Sequence, residues 1–207
     1  MKEVIQKRFN ENLDRVVNLV KIYEGIRKPG QGRKSAHDTD ILRAAVVLLH
    51  AALEDFLRSI ARWRLPASNN PQVLEQFPFL GSKPGQRVEK INLGFLANHR
   101  GKTVDEIIKG SIEEYLDRSN YNNTPEISRL LESIGVNVAN VNKDFSILEQ
   151  IMARRHLIVH RADRDETGGQ GNHRIKSIGV IQMMPWIGAV KSFASAVLNE
   201  IPSCRRG

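Results

Sequence analysis

Arg154-Arg155-His156-Leu157-Ile158-Val159-His160-Arg161-Ala162-Asp163 sets charged and titratable side chains around the apolar tripeptide Leu157-Ile158-Val159. At about 100° per residue, Ile147, Leu148, Ile151, Met152, Ile158 and Val159 fall on one stripe, so the stretch reads as part of a long amphipathic helix. Arg155 sits near the centre of that stripe, where a helix built only for packing would carry leucine. A guanidinium there is costly unless a partner or ligand satisfies it. His160 follows five residues later, about 140° round and about 7.5 Å along the axis. Both side chains can therefore address one cleft and one substrate group.

Working outward, this helix is expected to start at Asn142 or Asp144 and to end near Asp163 or Arg164. The cluster Thr167-Gly168-Gly169-Gln170-Gly171 lacks the Lys-Ser/Thr ending of a phosphate loop and follows no strand, so it reads as a turn. A last helix is expected from Pro185, with Trp186, Val190, Phe193, Val197 and Ile201 on one face and Cys204-Arg205-Arg206 as a tail.

At the other end of the chain, Ile5, Phe9, Leu13, Val16, Val20 and Tyr23 are spaced by three and four, which predicts a helix over Lys2 to Ile26. Arg27 to His37 reads as a basic loop with Pro29, Gly30 and Gly32. Asp38 or Thr39 then caps a second long helix that Leu65-Pro66 stops. Its core stripe is Leu42, Ala45, Val46, Leu49, Leu53, Phe56 and Ile60. A second row, Arg43, His50, Glu54 and Arg58, reads either as a solvated face or as the lining of a cleft.

Residues 66–86 are rich in turn formers, Val88 to Asn98 suggests a short helix, and Thr103-Val104-Asp105-Glu106 is a capping box opening a helix to about Asp117. Thr124-Pro125 opens another helix, ending at Gly135. The expected fold is all-α: one domain over residues 1–207, a bundle of four long helices with an acidic loop and helix insert, 66–141, between the second and third.

Composition narrows the functional classes. The net charge is +8, and residues 101–134 hold seven acids against four bases, leaving the remainder at +11. That balance suits a polyanionic partner. The single cysteine excludes a disulfide framework and, with no signal-like apolar core in Met1 to Arg15, points to the cytoplasm. The longest apolar candidate, Ile41 to Leu53, is interrupted by Arg43 and His50, so no membrane partner is expected.

An arginine on the apolar stripe of a late helix, a polar residue directly after it, and a histidine five positions on resemble the HEPN superfamily signature, R-x(4 to 6)-H. Here that is Arg155-His156-Leu157-Ile158-Val159-His160, together with Leu48 to Arg58 on the second long helix. The resemblance covers the four long helices. It implies a helical-bundle dimer and a metal-independent endoribonuclease of the toxin, phage-defence or RNA-processing kind, or a relative that has lost activity and binds RNA or protein. It implies Arg155 and His160 as the catalytic pair, with His156 at the polar position.

The chemistry suits those residue types. Histidine titrates near neutrality and can move the 2′-OH or leaving-group proton, while the forked arginine fits non-bridging phosphate oxygens. Glu54 and Asp163 join His156 as accessory groups, and Arg154, Arg161 and Arg164 are expected to bind RNA phosphates. A two-fold dimer would bring a second motif to the cleft, and Leu157, opposite the stripe, could meet the partner chain. No cofactor or metal is expected; partners are RNA, a second copy and an antitoxin or regulatory protein. Other readings stay open: Arg155 paired with Glu54, His160 as a helix-end cation, Asp163 as a helix-end or arginine-pairing group, or His156 and His160 as zinc ligands.

Overall fold

The three-and-four spacing of Lys2–Ile26 becomes one continuous helix, α1, in the computed structural model of the chain. It buries Ile5, Phe9, Leu13, Val16, Val20 and Tyr23, the six residues expected on that face. The structure describes residues 1–26, 36–82, 92–164 and 174–201. Most of the basic loop, the 167–171 glycine cluster and the Cys204 tail lie outside the described residues.

Helix α2 (Ala36–Arg64) starts just before its expected cap and ends at Arg64, where Leu65–Ala67 forms a 3-10 turn with Pro66. It is the central element, packing on α1 and on three later helices. Leu42, Val46, Leu49, Leu53, Phe56 and Ile60 are each 1% exposed or less. The Phe9 and Phe56 rings meet at 4.9 Å, and Arg8 reaches Asp55 at 2.6 Å at the edge of the α1–α2 seam.

After the short α3 (Pro71–Leu74) and α4 (Leu93–Ala97) come α5 (Val104–Arg118) and α6 (Thr124–Ser133). Helix α5 opens on the expected capping box, Thr103 with Glu106. Asn123, rather than Thr124, caps α6, and Gly135 at φ +79° ends it with the left-handed residue that favours glycine. Two 3-10 turns lead into α7 (Phe145–Arg161), and α8 (Val180–Glu200) closes the order. The chain is all-α, with no strand among the described residues.

Three expectations are corrected. The last helix begins at Val180, and Pro185 lies inside it. The proline forfeits one bond to the Ile181 carbonyl, but Ile181 is 93% exposed and Pro185 is exposed, so water has access to that turn. Helix α8 is also long and apolar enough to cross a membrane by length and composition. Of its apolar residues, Met183, Trp186, Val190, Phe193 and Val197 are buried against the other helices, whereas Ile181 and Met184 stay exposed. Finally, the acidic stretch does not stand apart from the bundle. Ile112 and Leu116 of α5 and Ile127 and Leu131 of α6 are 1% exposed or less and belong to the same core as α1 and α2. At roughly 1.5–3 kcal/mol for each such side chain, these helices are part of the body of the domain.

Candidate nucleic-acid cleavage site at the end of α7

Helix α7 terminates in two consecutive left-handed residues that are not glycine, Ala162 (φ +48°) and Asp163 (φ +58°). That backbone costs roughly 1–2 kcal/mol per residue, so something must hold it. The backbone N–H groups of both residues donate to the Leu157 carbonyl. The turn drives the Asp163 carboxylate inward to complete burial. There one oxygen, Oδ2, accepts from Arg154 Nη2 at 2.7 Å and from Arg43 Nε at 2.7 Å.

Both arginines are further engaged. Arg154 donates to the carbonyls of Lys176 (2.9 Å) and Ser177 (3.1 Å), and Arg43 to the Lys176 carbonyl (2.9 Å) and Thr39 Oγ1 (2.6 Å). Lys176 N–H returns to the Asp163 carbonyl at 2.8 Å. One carboxylate thus ties the start of α2, the end of α7 and the segment entering α8. The expectation that Arg154 faces RNA phosphate is corrected: its side chain is 7% exposed and spent inside the fold. Asp163 is the arginine-pairing group that one reading of the sequence allowed.

Arg155 points elsewhere. Leu148, Ile151 and Met152 are buried as the stripe requires, but the last turn of α7 runs past the core, leaving Val159 47% exposed and Arg155 half-buried. Among the described residues Arg155 has no hydrogen-bond or ion-pair partner, so the expected alternative of a pair with Glu54 is not formed. It stands close enough to α2 for its charge to act on His50.

His50 is buried, and its Nε2 lies 3.0 Å from the Tyr121 carbonyl, the distance of an N–H donating to that oxygen. Its Nδ1 is 3.9 Å from Glu54 Oε2. Burial is the main cause holding its pKa below the ordinary 6.5, reinforced by Arg155 and Arg58 and opposed by Glu54 and the Tyr121 carbonyl. Glu54 Oε1 accepts from the Tyr121 N–H at 3.2 Å, and Arg58 donates to the Ser119 carbonyl at 2.6 and 3.2 Å. The polar row of α2 is therefore neither a solvated face nor an open cleft. It clamps the 119–121 linker between α5 and α6. The sequence marked His50, Glu54 and Arg58 as a row but did not show that it grips the 119–121 backbone.

His156 and His160 are exposed one turn apart, ring centroids 4.7 Å from each other, with Arg161 and Arg164 exposed beside them. The end of α7 thus presents two imidazoles to solvent, while half-buried Arg155 is near enough to α2 for its charge to act on His50. No cluster of three or more His, Cys, Asp or Glu that could hold a metal occurs among the described residues, so the histidine pair has no third protein ligand there. Burial pushes the Tyr121 phenol well above its ordinary range.

An all-α domain whose late helix ends in R-x4-H, with a polar row on the second helix within electrostatic reach of the arginine, has the make-up of a HEPN-type domain. A family model described as RiboL-PSP-HEPN matches residues 10–199, and the chain belongs to that family. No curated protein and no solved structure matches the chain. Membership suggests an RNase-like module.

Proposed function

We propose that the protein is a metal-independent endoribonuclease, acting as a homodimer in the cytoplasm as a toxin or phage-defence effector. The observation that carries this reading is Arg155: half-buried, without a hydrogen-bond or ion-pair partner among the described residues, on the same helix end as two exposed histidines. A guanidinium that the fold does not satisfy is available to a ligand anion.

In the proposed reaction a His160 imidazole takes the 2′-OH proton, O2′ attacks phosphorus, and the P–O5′ bond breaks. The departing 5′-oxygen gains a proton from a second imidazole, which the dimer partner supplies. The products are a 2′,3′-cyclic phosphate and a 5′-hydroxyl. Arg155 neutralises the charge that grows on the non-bridging oxygens. His156, its ring 4.7 Å from that of His160 and tilted by 46°, sets the orientation of that ring, and Arg161 and Arg164 draw in the strand. Buried His50 and partly buried Glu54 stand on the stretch of α2 that Arg155's charge reaches.

The test is incubation of purified protein with mixed RNA and matched DNA in EDTA. RNA ends carrying 2′,3′-cyclic phosphate with DNA untouched are expected. Tight RNA binding with no cleavage under any condition would make the protein a binding module instead.

A further inference from the structure

The linker that α2 clamps also lines a cavity of about 330 Å³ bounded by α5 and α6. This is the lower end of the size range for small-molecule sites, and its wall chemistry is mixed. Leu130 and Leu116 form an apolar floor. Tyr115 stands at the edge, 44% exposed, its ring held by an edge contact from Phe77 at 5.2 Å and 83°. Asn120 has no hydrogen-bond partner among the described residues, and Arg129 uses only its Nε, on the Pro125 carbonyl at 3.4 Å. Glu126 also lines the wall, one carboxylate oxygen engaged by the Asn122 N–H at 2.8 Å. A half-exposed ring, a neutral amide and a guanidinium with unengaged Nη groups match a flat heteroaromatic ring carrying hydrogen-bonding edges, with an anion on the Arg129 side. A lipid chain would find the polar half of this wall unfavourable, and an acidic peptide has no use for the ring.

The cavity's α6 wall is tied to the helix that carries Arg155. Thr124 Oγ1 donates to Glu149 of α7, fixing the start of α6 beside that helix. Glu149 lies six residues, about 9 Å of helix, before Arg155. We propose that this cavity receives an unpaired nucleobase of the RNA flanking the cleaved phosphate, stacked on Tyr115 and read by Asn120, with Arg129 on the neighbouring phosphate. This rests on the ribonuclease reading. Single-stranded RNA is read in this way, by stacking and by hydrogen bonds to base edges. Sequence preference would then come from the α5–α6 region and cleavage from α7.

The experiment uses the full chain and a short single-stranded RNA with 2′-O-methyl riboses, which cannot be cut, carrying 2-aminopurine at successive positions. Quenching at one position is expected with wild type. Tyr115→Ala should weaken binding about tenfold, within the usual worth of one stacked base, Tyr115→Trp should restore it, and Asn120→Ala should flatten the sequence preference of cleavage. Both positions are open to solvent, so thermal melts should show folded variants. Binding that depends on Tyr115 without any cleavage by wild type would keep the cavity assignment and sink the ribonuclease reading. Cleavage by wild type, with affinity and preference unchanged in Tyr115→Ala and Asn120→Ala, would overturn the cavity assignment. Nucleoside monophosphates form a further arm: if one bound more tightly than the oligonucleotide and depended on Tyr115, a free nucleotide would be the occupant and the substrate-strand assignment would fall.

Discussion

Arg154 donates at 2.7 Å to Asp163, nine residues further along the chain, across a turn that the two residues themselves close. The carboxylate is fully buried and shared with Arg43, so two guanidinium charges meet one acid inside the protein. The other carboxylate oxygen, Oδ1, has no hydrogen-bond partner among the described residues. Losing Arg154 would leave Arg43 and Asp163 paired one to one while stripping buried bonds from Oδ2 and from the Lys176 and Ser177 carbonyls. Arg154→Met should therefore cost about 1–3 kcal/mol, whereas Arg155→Met should cost little, since no partner is lost. Urea unfolding of the two variants checks this; equal losses would show that the arginines are not divided into one structural and one functional.

That division was not legible in the sequence. Arg154 and Arg155 are one residue apart, and the helical wheel set Arg155 on the core stripe, whereas it is Arg154 that is buried and Arg155 that is half-buried. What buries Arg154 is a pair of left-handed residues beyond the helix, which no apolar periodicity encodes. By contrast α1 was readable to its ends, because its burial depends only on spacing within the helix. The α2 row His50, Glu54 and Arg58 was recognisable as unusual. Its task, holding the Ser119 and Tyr121 backbone, depends on a segment more than sixty residues away. Pro185 misled for a local reason, since a proline near a helix start usually marks the start itself.

Acid should weaken the fold through His50. Its folded pKa lies below 6.5. Above that value the ring is neutral in both states and contributes nothing to the pH dependence. As pH falls through 6.5 the unfolded chain takes up a proton that the folded chain refuses, so stability is lost until the folded pKa is reached. His50→Gln, which keeps a donor for the Tyr121 carbonyl, should show a flatter melting temperature between about pH 6.5 and pH 5. A wild-type profile as flat as the variant's would refute this.

The α5–α6 region should not be removable. Replacing residues 104–134 by a flexible linker strips Ile112, Leu116, Ile127 and Leu131 from the common core and leaves the α2 row without its backbone partners. The expected product aggregates or shows no cooperative thermal transition by circular dichroism. Leu131→Ala in the intact chain should cost about 2–5 kcal/mol. A deletion variant melting like wild type would return this region to the status of an appendage.

Dimerisation has a more specific test than the sequence offered. Leu157 is half-buried within the chain, while Val159 on α7 and Ile181 and Met184 on α8 remain exposed at 47%, 93% and 51%. Sedimentation at micromolar concentration should give twice the 23.4 kDa of one chain, and Ile181→Asp should shift the population to monomer by placing charge at an apolar contact. A wild-type particle of one chain's mass at all concentrations would contradict the dimer.

The last prediction separates the roles of the motif residues. His160→Ala should lose at least about 10²-fold in cleavage rate, the lower end for a positioned acid or base, while retaining RNA affinity. Arg155→Lys should also fail, because an ammonium keeps the charge but cannot present the planar fork that two phosphate oxygens require. Neither change removes a hydrogen bond to a described residue, so both variants should melt within a few degrees of wild type. Arg154→Lys makes the informative contrast: loss of the shared Asp163 oxygen and of two carbonyl contacts should lower the melting temperature, and activity should return with stabilising osmolyte if the residue acts only through the fold. Activity of His160→Ala equal to wild type would remove the proposed proton transfer, and with it the reason for placing the reaction at the end of α7.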